Sequence, residues 1–290
     1  MKKILITGAG GFIGRNLKEQ LEEHYQVLAP DKSELDLCDT SLVRSYLDKH
    51  HFDVIVHAAN YGTADTSKPD LYKILNYGLR MFYNLAKCHD LYDKMLYFGS
   101  GAEFDVRHYI PFMSEEYLGT FIPEDAYGLY KYSIAQSLDM FPNIYNLRLF
   151  GICGKYEQYY RFLSSNICRA LKKLPLTLSQ NAYFDYIYID DLVPVVVWFI
   201  ENTPQYKHYN VCRGEHVSLK TLAELIREKL YPDAELIIGK DGWKKEYSGD
   251  NGRIVHEIGN LNFTSYEIAI EKLTDYYRTI IGQIDESVLP

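Results

Sequence analysis

The stretch Thr7-Gly8-Ala9-Gly10-Gly11-Phe12-Ile13-Gly14 decides how this chain is read. It follows a short apolar run, Ile4-Leu5-Ile6, which reads as a buried strand. It opens an amphipathic segment, from about Gly11 to Glu23, which reads as a helix. Gly8, Gly11 and Gly14 are spaced G-x-x-G-x-x-G. Gly8 permits a tight turn, Gly11 lets the backbone approach a pyrophosphate, and Gly14 lets the helix pack closely on the strand. The helix N-terminus then presents N–H groups to the phosphates. A glycine triplet by itself is no more than a turn. Its position at the first βα junction is what makes it a dinucleotide loop.

Working outward, short apolar runs alternate with amphipathic stretches. Val27-Leu28-Ala29, Val54-Ile55-Val56, Met95-Leu96-Tyr97-Phe98 and Leu147-Arg148-Leu149 read as strands. Leu42, Val43, Tyr46 and Leu47 have helical spacing, and longer helices are expected from about Pro69 to Cys88 and from about Glu124 to Phe141. This alternation predicts an α/β fold, a doubly wound parallel sheet with ligands at the carboxyl ends of its strands. After Gly154 the order blurs. Helices are expected near Tyr156 to Lys173, Leu192 to Glu201, Leu219 to Leu230 and Ser265 to Ile281, with a Gly-, Lys- and Asp-rich loop from Lys240 to Gly252. This part reads as a smaller domain covering the first.

Composition narrows the function classes. At 290 residues the chain has room for a nucleotide-binding domain and a smaller companion. A formal net charge of -8 argues against nucleic acid as partner. Cys38, Cys88, Cys153, Cys168 and Cys212 form no C-x-x-C pair, so neither a metal site nor a disulfide framework is expected. The apolar run after Met1-Lys2-Lys3 is too short for a signal peptide, and the run near Val195 to Ile200 is too short to span a bilayer. A cytoplasmic protein with no membrane partner is the expectation.

Two further groups of residues carry chemistry. At the end of the second strand Asp31 and Lys32 stand side by side, with Asp36-Leu37 shortly after. A carboxylate there accepts from a ribose 2′-hydroxyl and favours NAD. A cation neutralises a 2′-phosphate and favours NADP, toward which the reading leans. Tyr127-Gly128-Leu129-Tyr130-Lys131 holds Y-x-x-x-K, so Tyr127 and Lys131 share one helix face while Tyr130 points about 100° away. A phenol has a pKa of about 10, and a nearby ammonium stabilises its anion. Tyr127 can then exchange a proton with a sugar hydroxyl or carbonyl while hydride moves to or from nicotinamide. Ser100, after the fourth strand, can donate to an oxygen that gains charge.

The loop, the strand-end serine and the Tyr-Lys pair, in that order, resemble the extended short-chain dehydrogenase/reductase family of nucleotide-sugar epimerases, dehydratases and reductases. His57-Ala58-Ala59, Asn76, Arg148-Leu149-Phe150-Gly151 and Phe184-Asp185-Tyr186-Ile187-Tyr188-Ile189-Asp190-Asp191 also resemble family segments. The resemblance implies a Rossmann-type sheet over residues 1–154 plus about 186–204, and a smaller α/β C-terminal substrate-binding domain over about 155–185 and 205–290. It implies Ser100, Tyr127 and Lys131 as the catalytic set. It implies cofactor contacts from Gly8, Gly11, Phe12, Ile13, Gly14, Asp31, Lys32, Asp36, Leu37, Ala58, Ala59, Tyr61, Asn76, Tyr127 and Lys131. A homodimer through the helices bearing Asn76 and Tyr127 is allowed by the same likeness.

Departures from the family pattern narrow the reaction. Gly101-Ala102 stand where the 4,6-dehydratases carry an Asp-Glu pair, and Ala102 stands where fucose-synthase-like members carry a cysteine. Hydride transfer at one carbon remains, so the expected activity is NAD(P)-dependent reduction of a nucleotide-linked 4-keto-6-deoxy sugar. The alternative is a 4-epimerase that retains NAD, and a non-catalytic dinucleotide sensor is the third reading. Lys32-Ser33-Glu34-Leu35-Asp36-Leu37 resembles the reductase members. Phe184 replaces an arginine that meets the nucleotide in many relatives, which leaves Lys155, Arg161 or Arg253 to supply that charge.

Overall fold

A computed structural model describes residues 1–61, 70–259 and 261–289. In chain order its first half comprises β1 (Lys3–Thr7), α1 (Phe12–Leu21), β2 (Gln26–Leu28), α2 (Thr40–His50), β3 (Phe52–His57), α3 (Leu71–Ala86), β4 (Tyr92–Ser100), α4 (Ala126–Ser137) and β5 (Ile144–Leu149). There follow β6 (Gly151–Cys153), α5 (Phe162–Leu171), β7 (Leu176–Asn181), β8 (Tyr183–Phe184), β9 (Tyr186–Tyr188), α6 (Ile189–Glu201) and β10 (His208–Val211). The chain finishes with β11 (Val217–Ser218), α7 (Leu219–Leu230), β12 (Leu236–Trp243), α8 (Gly252–Ile258) and α9 (Tyr266–Ile280).

The apolar strands are buried on both faces, which is why they read as continuous hydrophobic runs rather than alternating ones. They assemble into a six-stranded parallel sheet, in the order β2-β1-β3-β4-β5-β10. Alternate residues feed two cores. Ile4, Ile6, Val54, Val56, Leu96 and Leu147 pack with Leu17 of α1 and with Leu192, Val195 and Phe199 of α6. Leu5, Ile55, Met95 and Tyr97 pack with Val43 of α2, Phe82 of α3 and Ile134 of α4. Strand order reverses at β1/β3, and that is where a doubly wound sheet opens a crevice.

Local chemistry sets the helix ends. Asp39, Asp70 and Asp125 cap α2, α3 and α4 by accepting first-turn backbone N–H groups. Helix α3 begins at Leu71, and Pro69, the expected start, lies outside the described residues. Helix α4 ends at Ser137 and tightens into a 3₁₀ turn over Leu138–Met140, short of the expected Phe141, because Pro142 disfavours helical backbone at the residue before it. Helix α5 starts at Phe162 rather than near Tyr156, which sits at φ 70°, outside the helical region.

Beyond the main sheet, β6 pairs with β9 and β7 with β12 in parallel, and β8 pairs with β11 antiparallel. The stretch from Lys240 is not all loop, since β12 runs to Trp243 beside β7. Strand β10 falls in the segment expected to belong to the second domain, yet it extends the main sheet beside β5. Among the described residues no helix is long and apolar enough to cross a membrane.

Candidate active site

The crevice at β1/β3 is built by small residues in contact. Gly8 adopts φ +73°, and a Cβ on it would lie 2.6 Å from the backbone of Ala59. A Cβ on Gly14 would lie 2.3 Å from the carbonyl oxygen of Gly8, so only glycine lets α1 sit this close to the loop. Thr7 fastens the two strand ends together, its carbonyl accepting from Ala58 N–H at 3.2 Å and its hydroxyl meeting His57 Nδ1 at 2.7 Å. Burial pushes the His57 imidazole down to about 3, so it is neutral at physiological pH. No side chain caps the first turn of α1, unlike α2, α3 and α4.

A cavity of about 470 Å³ opens over this loop. Of the expected cofactor contacts, Gly8, Asp31, Lys32, Asp36, Leu37, Ala59 and Tyr61 line it. Helix α3 adds Lys73, Tyr77 and Met81 to the lining. Asn76 does not join them, and its amide donates to the Tyr72 hydroxyl at 3.4 Å. Gly11, Phe12, Ile13, Gly14 and Ala58 stand behind the lining, in the turn, helix and strand end that shape it. The Asp31 carboxylate is occupied within its own turn, accepting from Ser33 N–H, the Ser33 hydroxyl and Glu34 N–H. Lys32 is exposed, 3.9 Å from Asp36. The glycine-floored cavity and the uncapped first turn of α1 beside it suit the phosphate-bearing part of a dinucleotide, with Lys32 in the lining.

Ser100, Tyr127 and Lys131 come together beside this crevice. Ser100 ends β4, and Tyr127 and Lys131 lie one turn apart on α4. Ser100 and Asn60 face the Tyr127 phenol and oppose the effect of its burial. Asn60 also accepts from the Tyr130 hydroxyl, so the turned-away tyrosine of the motif braces the residue that Tyr127 touches. Lys131 is buried, donates to the Phe98 carbonyl at 2.6 Å and lies 5.9 Å from the Tyr127 ring. Burial pulls its ammonium down to about 8.

The expected lowering of Tyr127 by Lys131 is not what this arrangement gives. Burial raises the Tyr127 phenol, and the positive charge that opposes this is Arg161. The amine is engaged by a strand carbonyl and lies off the ring rather than at the hydroxyl. Of the three cations considered for the lost nucleotide arginine, Lys155 pairs with Glu19 at 2.6 Å, and Arg253 pairs with Glu116 and Glu115. The charge of Arg161, at the start of α5, acts on Tyr127, Tyr186 and Tyr247.

Two groups were not anticipated from the sequence. Glu103 folds back beneath Ser100, its carboxylate accepting the Ser100 N–H at 3.0 Å while the Ser100 hydroxyl accepts the Ala102 N–H at 3.2 Å. The S-x-x-E spacing of a capping box, Ser100 to Glu103, was the signal available for it. Tyr247 reaches in from the segment after β12 and sets its hydroxyl against Gly101, beside Ser100. No local pattern marks it, because only tertiary structure brings that segment to β4. The glycines flanking Ser100 make room for these groups. A Cβ on Gly99 would lie 2.0 Å from a Glu103 carboxylate oxygen, and one on Gly101 would lie 2.5 Å from the Tyr247 hydroxyl.

The chain is 37% identical over 89 residues to dTDP-4-dehydrorhamnose reductase of Aggregatibacter actinomycetemcomitans, a match that spans 30% of either protein. It is 24% identical to GDP-L-colitose synthase of Yersinia pseudotuberculosis over 95% of this chain and 97% of that one. The fold superposes on a GDP-L-fucose synthetase from Naegleria fowleri bound to NADP with a TM-score of 0.86 at 15% identity, covering 98% and 95% of the two chains. Residues 4–212 match the NAD dependent epimerase/dehydratase family, which contains the dinucleotide loop, the strand-end serine and the Tyr-Lys pair. The chain is a member of that family, an NAD(P)-dependent enzyme family with a Rossmann-type sheet.

Proposed function

We propose that this protein reduces the keto group of a nucleotide-linked 4-keto-6-deoxy sugar, with Ser100, Tyr127 and Lys131 as the reacting-centre residues. The observation that carries the reading is the meeting of the Ser100 hydroxyl and the Tyr127 phenol at the carboxyl end of β4, beside the glycine-floored cavity. The similarity to a dTDP-4-dehydrorhamnose reductase and a GDP-L-colitose synthase supports it. Gly101 and Ala102 supply no acid or base for elimination and no thiol for epimerising a neighbouring carbon.

A bound reduced nicotinamide supplies hydride in this chemistry. The chain does the rest. Ser100 and Tyr127 bind the carbonyl oxygen and polarise it. Tyr127, kept protonated by burial, donates its proton to that oxygen as negative charge develops there. Lys131 packs against the two phenols of α4, and its ammonium is assigned to holding a ribose hydroxyl of the cofactor. Residues 155–185 and those after β10 hold the sugar nucleotide over this centre, with Arg161 as the cation for its diphosphate. NADPH is the preferred reductant, because Asp31 is committed to its own turn and Lys32 is not.

Tyr127→Phe tests the reading. NADPH should still bind, as measured by fluorescence titration, while NADPH oxidation with the GDP- or dTDP-linked 4-keto-6-deoxy sugar falls by about 10²- to 10⁴-fold. Undiminished turnover would overturn the assignment.

A further inference from the structure

Tyr247 joins the reacting centre from a distant part of the chain. It lies four residues past the end of β12, and its backbone is sewn to β8 and the following turn: Tyr247 N–H donates to the Tyr183 carbonyl at 2.9 Å, and Asp185 N–H donates to the Tyr247 carbonyl at 3.0 Å. Its ring is wedged between Tyr109, Phe150 and Phe184, with centroids 5.2–5.4 Å away. A phenol held on three sides by rings has one direction left for its hydroxyl, and that direction ends at Ser100 and Gly101. Gly101 is absolute here, since a Cβ would meet three atoms of the Tyr247 phenol at 2.5–2.9 Å. Tyr109 closes the base of the arrangement by donating to the Gly101 carbonyl at 2.9 Å.

We propose that Tyr247 is a second substrate-contacting phenol, which holds the hydroxyl on the carbon next to the one reduced. This rests on the reductase reading above. Ser100 acts on the Tyr127 phenol and on the Tyr247 phenol, and the Tyr247 hydroxyl lies against Gly101, the residue after Ser100, so the two phenols approach the same serine. If Ser100 and Tyr127 hold the carbonyl oxygen, the Tyr247 hydroxyl beside Gly101 faces the next ring position. Vicinal oxygens on a pyranose ring lie about one hydrogen-bond length apart, so neighbouring phenols can take one each. In a 4-keto-6-deoxyhexose the ketone has one vicinal hydroxyl, on C3, because C5 carries the methyl group and the ring oxygen. Tyr247 therefore reads O3. Phe184, in the position of the absent nucleotide arginine, packs against the Tyr247 ring, so an aromatic support for this phenol occupies that place.

The test crosses a protein hydroxyl with a substrate hydroxyl. Wild type and Tyr247→Phe are assayed with NADPH on the GDP- and dTDP-linked 4-keto-6-deoxy sugars and on their 3-deoxy counterparts. The expected result is a 10- to 1000-fold loss of kcat/KM for Tyr247→Phe on the 3-hydroxy sugar, within the range for an unpaired buried polar group. On the 3-deoxy sugar the two proteins should differ less than threefold, with NADPH affinity unchanged. Equal penalties on both sugars would reduce Tyr247 to a packing role and overturn the proposal alone. Failure of wild type to oxidise NADPH with any of these sugars would overturn the reductase reading, and the role of Tyr247 with it.

Discussion

The Glu103 carboxylate accepts from Nε of Arg148 at 2.7 Å and lies 2.7 Å from its Nη2 in an ion pair, with both side chains wholly out of solvent. Asn146 donates to the same carboxylate at 2.9 and 3.1 Å, and Arg148 continues to Asn210 at 2.9 Å. This network spans β4, β5 and β10 and ends on the backbone N–H of Ser100. An ion pair at this depth is retained for position more than for stability, because desolvation offsets most of the attraction.

Breaking this pair therefore has a defined signature. Glu103→Leu or Arg148→Met alone should each destabilise by about 3–5 kcal/mol, since one charge is left buried and unpaired. The double variant should be less destabilised than either single one, as read from urea unfolding midpoints. Both variants should lose kcat through Ser100 while the KM for NADPH holds. Additive destabilisation would contradict the linkage.

Lys131 gives a stability effect opposed to activity. Its ammonium is buried and brought down to about 8 from 10.5, so the folded state resists the charged form. Between pH 8 and 10.5 the unfolded chain holds the proton and the folded chain does not, so stability rises with pH across that window. Below pH 8 the penalty is fully present. Lys131→Met should thus raise the unfolding free energy of the cofactor-free protein at pH 7 by about 1–3 kcal/mol while abolishing turnover. The gap between the two proteins should narrow by pH 10.

Glu157 titrates in the opposite sense to an ion-paired carboxylate. Burial raises it to about 7 from 4.5, and the hydrogen bond from Ser164 at 2.6 Å only partly opposes this. The folded state favours its protonated form, so stability present below pH 4.5 is lost as pH rises through 7. Relative to Glu157→Gln, the wild type should lose up to about 3 kcal/mol over that window. Parallel pH–stability curves for the two proteins would contradict the burial argument.

Lys32 should matter to one cofactor and not the other. Lys32→Ala is expected to weaken NADPH binding about tenfold and leave NADH within twofold, by fluorescence titration, because only the 2′-phosphate needs a cation there. Equal weakening of both would remove Lys32 from cofactor selection.

The reach of the sequence follows from how local each feature is. The Gly8-Gly11-Gly14 loop, the alternation of strands and helices, and the Tyr127–Lys131 spacing are set within a few residues, and the structure puts Gly8 in the cavity lining and Tyr127 and Lys131 one turn apart on α4. Glu103 was half-visible, since its spacing from Ser100 is local but its partner Arg148 is 45 residues away. Tyr247 was invisible, because the Phe104–Phe150–Tyr247 cluster depends on how the late segment lies over β4. The electrostatics of Lys131 were also hidden. Spacing shows that it shares a face with Tyr127, but burial, opposed by the charge of Glu103, decides its protonation. Strand β12 was missed in part because it is a mostly exposed strand with no apolar alternation beyond Ile238.

The central claim is net reduction at one carbon, and the stoichiometry of NADPH consumed to sugar converted tests it most directly. The account predicts one NADPH oxidised for each nucleotide-linked 4-keto-6-deoxy sugar reduced, by a protein that releases no stoichiometric NAD on denaturation. Interconversion of sugar epimers with no net NADPH consumption, by a protein that carries NAD through purification, would contradict it.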